Sequence, residues 1–92
     1  MCEDKIITAV TRHFNIAGLN KSDHSEEMYR AKWAAVYLLK TETRLKYKEI
    51  APLLGVTTGE AVGICFHRSL QELQTNRFLK GDLKIISEQL KY

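Results

Sequence analysis

Apolar residues recur at steps of three and four along nearly the whole chain, and no run alternates with a period of two. Each segment therefore carries one apolar stripe at helical spacing, which packed helices bury. One proline and five glycines among 92 residues leave room for long, regular elements. A chain of this length makes one domain, spanning residues 1–92. An apolar fraction of 45 % with 27 % charged residues excludes a disordered chain. The expected fold is all-α, a single domain of five to six helices.

Ile6, Ile7, Val10 and Phe14 form the first stripe, with Gly18 as its expected stop. Asn20 to Ser25 reads as a loop, and Ser25 caps a second helix whose Glu26 and Glu27 suit its positive end. Met28, Ala31, Ala35, Leu38 and Leu39 point inward from it, widened by Trp33, Val36 and Tyr37, so this is the expected central helix. A short helix follows with Tyr47, Ile50, Ala51 and Leu54 inward and Gly55 as a left-handed cap. Pro52 predicts a late start or a kink there. Thr57-Thr58-Gly59-Glu60 fits a capping box opening a helix with Val62, Phe66, Leu70 and Leu73 inward. Leu79, Leu83, Ile86 and Leu90 line a last helix, whose opening Gly81 weakens by about 1 kcal/mol relative to Ala.

Several function classes are excluded by what the pattern lacks. The longest apolar run, Trp33 to Leu39, falls far below the roughly 18 residues that cross a bilayer. Met1-Cys2-Glu3-Asp4 is acidic, unlike a secretion signal, so a cytoplasmic location is expected. Cys2 and Cys65 share no Cys-x-x-Cys spacing and are expected as free thiols. His13 and His24 stand apart from other ligand types, and surface placement is expected for both. No cofactor, metal or small-molecule substrate is expected. No phosphate-binding Gly-rich loop occurs, and His67 near Ser69 is a coincidence of helical spacing, so no enzyme is expected.

Lys48-Glu49-Ile50-Ala51-Pro52-Leu53-Leu54-Gly55-Val56 followed by the capped segment from Thr57 has the form of a helix-turn-helix. Ala51 permits close crossing, Gly55 makes the turn, and Val62 with Phe66 locks the second helix on the first. Such pairs lay the front of the second helix in the major groove of duplex DNA; an ordinary packed pair is the alternative. Charge bears on the choice. Residues 30–48 hold six basic side chains against Glu42 alone, a balance of +5, whereas the whole chain carries +3. A solvated helix face is one explanation, and a phosphate-binding flank is the other.

These residues resemble a known family, the C-terminal DNA-binding domain of the bacterial replication initiator DnaA, over nearly the whole length. Ile7, Ala9-Val10 and Phe14-Asn15-Ile16 resemble that domain's opening helix and its closing Tyr-Asn-Ile-like step. Arg30-Ala31-Lys32 falls at the family's Arg-Pro-Arg, with Ala35, Leu38 and Lys40 continuing the register. Glu49-Ile50-Ala51 matches Glu-Ile-Gly, and Gly55 with Val62 aligns without a gap to its Gly-Gly-Arg-Asp-His-Thr-Thr-Val run. The spacing from Ala51 to Val62 carries one turn residue more than the common repressor-type pair, as in the tryptophan-repressor-like group. The resemblance implies an all-α, tryptophan-repressor-like domain that binds double-stranded DNA at the nucleoid. The sequence departs from the family at its contact residues: Thr57, Thr58, Gly59 and Glu60 stand where Arg-Asp-His-Thr is usual. Its loop before the central helix, Asn20 to Glu27, is not basic.

The expected DNA-binding residues are Arg30, Lys32, Arg44, Lys46 and Lys48 on phosphates, with Thr57, Thr58, Gly63, His67 and Arg68 along the groove. Gly63 has two explanations, close approach of another backbone and close packing within the domain. A second function remains open, a protein-interaction module that keeps the fold without base reading. Exposed Ile64 and Phe78 would then contact the protein partner.

Overall fold

The computed structural model describes residues 3–19 and 25–90, and within them it is all-helical. Its helices are α1 (Glu3–Phe14), α2 (Glu26–Glu42), α3 (Tyr47–Leu54), α4 (Gly59–Thr75) and α5 (Arg77–Leu90). Cys2, His24 and the expected loop up to His24 lie outside the described residues. The central position of α2 follows from its composition. Ala31, Ala34, Ala35, Val36 and Leu39 are wholly buried, and their small or medium side chains let α2 pack against each of the other four helices. Ile6 and Val10 meet it from α1, Ile50 and Leu54 from α3, Val62 from α4, and Leu79 and Ile86 from α5. Each large side chain so buried contributes about 1.5–3 kcal/mol.

Helix ends follow local chemistry. Ser25 caps α2, its hydroxyl accepting the Met28 N–H at 3.2 Å. α1 stops at Asn15, three residues before Gly18, because Asn15 takes the left-handed conformation (φ 54°) and Ile16 N–H donates to the Thr11 carbonyl at 3.0 Å. Gly55 ends α3 in the same way at φ 71°, with Val56 N–H donating to the Ala51 carbonyl at 3.0 Å. Asparagine tolerates that region better than other residues with a β-carbon. α3 opens on time at Tyr47, since the Lys46 N–H donates to a Glu49 carboxylate oxygen at 2.9 Å. Pro52 is exposed past the first turn, and its missing N–H leaves only the Lys48 carbonyl without an intrahelical donor.

The start of α4 lies one residue later than the capping box predicts. Thr58, not Thr57, is the cap, accepting the Ala61 N–H at 3.2 Å, so Glu60 is left out of the cap. The inward stripe of α4 runs Val62, Phe66, Ser69 and Leu73, while Leu70 is 38 % exposed. Ser69 tolerates full burial because its hydroxyl donates to the Phe66 carbonyl at 2.6 Å. Asn76 separates α4 from α5 and caps the latter, its side-chain oxygen accepting the Phe78 and Leu79 N–H groups at 3.0 and 3.2 Å.

His13 does not stand alone. Its Nε2 lies 2.7 Å from Asp82 Oδ1, tying α1 to α5. Arg30 of α2 completes the cluster, its Nε 3.8 Å from Asp82 Oδ2 and its guanidinium 5.7 Å from the Phe14 ring centre and 5.8 Å from that of Phe78. Arg30 Nε and Asp82 Oδ2 are buried and have no hydrogen-bond partner, so they face each other as a loosely closed ion pair.

Candidate nucleic-acid interface

The axes of α3 and α4 turn through 84° across a four-residue link. Two contacts fix the crossing. At Gly59 an added β-carbon would stand 3.1 Å from the Lys48 backbone nitrogen and 3.4 Å from Tyr47 Cβ. One turn on, a β-carbon at Gly63 would stand 3.3 Å from the Tyr47 ring, which also meets Phe66 at 6.4 Å between ring centres. Gly63, expected along the groove, thus serves packing inside the domain, and the backbone approach occurs at Gly59. The first turns of α3 and α4 consequently lie side by side. Helix N-termini carry partial positive charge, and here the Thr58 hydroxyl caps one and the Glu49 carboxylate the other, with Glu60 exposed beside them.

The expected phosphate-binding residues divide. Arg44, Lys46 and Lys48 are exposed on the connector and opening turn of α3, and none forms an ion pair with a described residue. Lys32 is half-buried on the opposite flank of α4, beside Cys65, with no described carboxylate paired to it. Arg30 does not belong with them. It turns toward α1 and α5, where Asp82, Phe14 and Phe78 hold it. Lys40 of the same basic segment is also used internally, donating to the Leu45 carbonyl at 3.3 Å with its Nζ 4.6 Å from the Tyr47 ring centre. Thr43 steadies that connector, its hydroxyl donating to the Leu39 carbonyl and accepting the Leu45 N–H at 3.2 Å.

Thr57 and Thr58 ahead of α4, and Glu60, Ile64, His67 and Arg68 on it, are exposed. Thr58 keeps its hydroxyl hydrogen available while its oxygen serves the cap. Arg68 pairs with Glu72 at 3.2 Å and lies 6.0 Å from the Trp33 ring centre, so it is braced against α2 while its side chain stays 58 % exposed. Cys65 is a free thiol, half-buried and packed against the core. Burial pushes its pKa above the ordinary 9.0, and the nearby Lys32 charge opposes that rise.

Sequence reasoning missed two features here. Tyr47, read as core, is the surface against which both glycines of α4 pack. The cluster of His13, Arg30 and Asp82 joins positions up to 69 residues apart, a separation that no local pattern reveals. Among the described residues no group of His, Cys, Asp or Glu could hold a metal ion, and no single helix is long and apolar enough to cross a membrane. No family model matches the chain, and no curated protein and no solved structure matches it.

Proposed function

We propose that the chain binds double-stranded DNA, with α3 and α4 acting as a helix-turn-helix and α4 as the helix laid in the major groove. The observation that carries this reading is the close approach of Gly59 to Lys48. It sets two helix N-termini edge to edge beside Arg44, Lys46 and Lys48, which pair with no described carboxylate. Lys32 and Arg68 lie on the other flank of α4, so phosphates on both sides of an entered groove would meet cations. The 84° turn suits such pairs, which cross near a right angle. The resemblance to the initiator's C-terminal domain supports the same reading, including a role at the nucleoid.

In this reading Thr57, Thr58 and His67 face the duplex from α4, and Thr58 donates to phosphate or touches a thymine methyl. Glu60, outside the cap, is placed to accept from a cytosine amino group. None of these side chains makes the two-point contact with guanine that arginine supplies, so base preference differs from that of the family.

Anisotropy of a labelled random duplex titrated with the protein at several salt concentrations tests the proposal. The expected result is binding at low salt whose log affinity falls with log salt by about 0.9 per phosphate neutralised. No binding at tens of micromolar protein in low salt overturns it.

A further inference from the structure

An open groove of about 610 Å³ lies between α2 and α4, lined by Trp33, Val56, Ile64 and Cys65 together with Lys32 and Arg68. Ile64 is 72 % exposed beside it, a large apolar side chain left in water. No described carboxylate lines the groove, although Glu72, outside the lining, pairs with Arg68 at 3.2 Å. We propose that this groove docks an acidic amphipathic helix of a protein partner, with apolar side chains between Ile64 and Trp33 and carboxylates on Lys32 and Arg68.

Charge and shape select this occupant. A second copy of the chain docked about a twofold axis would bring two Lys32 and two Arg68 side chains together, so self-association is disfavoured. A nucleic-acid strand would leave Ile64 and Val56 against a polar backbone, and Arg68 already covers the Trp33 ring at 6.0 Å, leaving that face closed to a stacking base. A helix with leucines at i, i+4 and i+7 buries the aliphatic walls, and glutamates beside them meet Lys32 and join Glu72 on Arg68. Phe78, equally exposed, is a poorer candidate because Arg30 lies on its ring and is itself held by Asp82. Lys32, Arg68 and the outer side of α4 are shared with the proposed duplex contact, so peptide and duplex compete for this face, whereas Arg44, Lys46 and Lys48 belong to the duplex contact alone.

Trp33 is the one tryptophan in the chain and reports directly on the groove. The experiment titrates the full chain with a synthetic helical peptide bearing leucines at i, i+4 and i+7 and glutamates between them, following Trp33 emission. The same peptide with lysine in place of glutamate is the control. The expected result is a saturable blue shift with the acidic peptide alone, weakened about tenfold by Ile64→Asp and similarly by Arg68→Ala. Ile64 is exposed, so Ile64→Asp retains the fold, and a circular-dichroism melt checks it. Lys46→Ala with Lys48→Ala, which reads duplex binding, leaves the peptide titration unchanged. Equal binding of both peptides, no shift with either, or a shift indifferent to Ile64→Asp and Arg68→Ala overturns the proposal. A concentration-dependent dimer that itself shifts Trp33, or a Trp33 shift produced only by duplex DNA, does so as well.

Discussion

Gly59 packs so closely on the Lys48 backbone that an added β-carbon would stand only 3.1 Å from the Lys48 nitrogen. Gly59→Ala should therefore destabilise the domain, since overpacking of about 1–3 kcal/mol exceeds what alanine gains at the first helical position. Gly81 offers the opposite case, with nothing within 4 Å of an added β-carbon inside α5. Gly81→Ala should stabilise by about 1 kcal/mol. Thermal melts of the two variants should move in opposite directions from wild type.

Arg30→Ala should lower the melting temperature while leaving duplex affinity within about twofold. The expected loss is about 2 kcal/mol, between that of an exposed and a fully buried ion pair, because Arg30 and Asp82 are 21 % and 15 % exposed. Lys46→Ala with Lys48→Ala should show the converse, an unchanged melt and weaker binding on every duplex sequence. Paired melting and anisotropy measurements on both variants check this, and a tenfold loss of duplex affinity in Arg30→Ala would contradict the turn of that side chain toward Asp82.

Thr58→Ala should cost about 1 kcal/mol of stability as a lost cap, whereas Thr57→Ala should cost little. Chemical denaturation of the two single variants decides which threonine opens α4. If Thr58 also reads bases, its variant changes the ranking of duplex sequences after the stability loss is accounted for.

Cys65 should alkylate slowly at neutral pH, because burial keeps its thiol protonated beyond the ordinary 9.0. Between the unfolded and the native pKa the native state holds more protons, so stability falls as pH climbs past 9.0. Lys32→Gln removes the charge that opposes the shift, and should move the pH midpoint of iodoacetamide labelling higher still.

Most of the fold is legible in the sequence because apolar spacing reports which face each helix buries. Ile6, Val10, Met28, Leu38, Ile50, Val62, Leu79 and Ile86 are buried where that spacing puts them. The exceptions share a cause. Ser69 takes a place assigned to Leu70 since a local hydrogen bond makes a hydroxyl acceptable inside, and hydropathy does not see that bond. Thr58 rather than Thr57 caps α4, a choice that local pattern leaves open because two adjacent threonines offer equivalent capping chemistry.

The candidate interface is legible only in part. A charge balance over residues 30–48 counts cations without regard to direction, yet Arg30 and Lys32 are two residues apart and project to different sides of α2. Lys40 is drawn inward by Tyr47 and the Leu45 carbonyl. Lys32, Arg44, Lys46 and Lys48 of that segment have no such internal partner among the described residues.

A helix that touches every other helix leaves natural selection little freedom along its length. Substitutions that leave the fold intact are confined to the exposed faces of the helices and the short connectors, away from α2 and from the Gly59 and Gly63 contacts. Descendants of this architecture would change their surface chemistry long before they change shape.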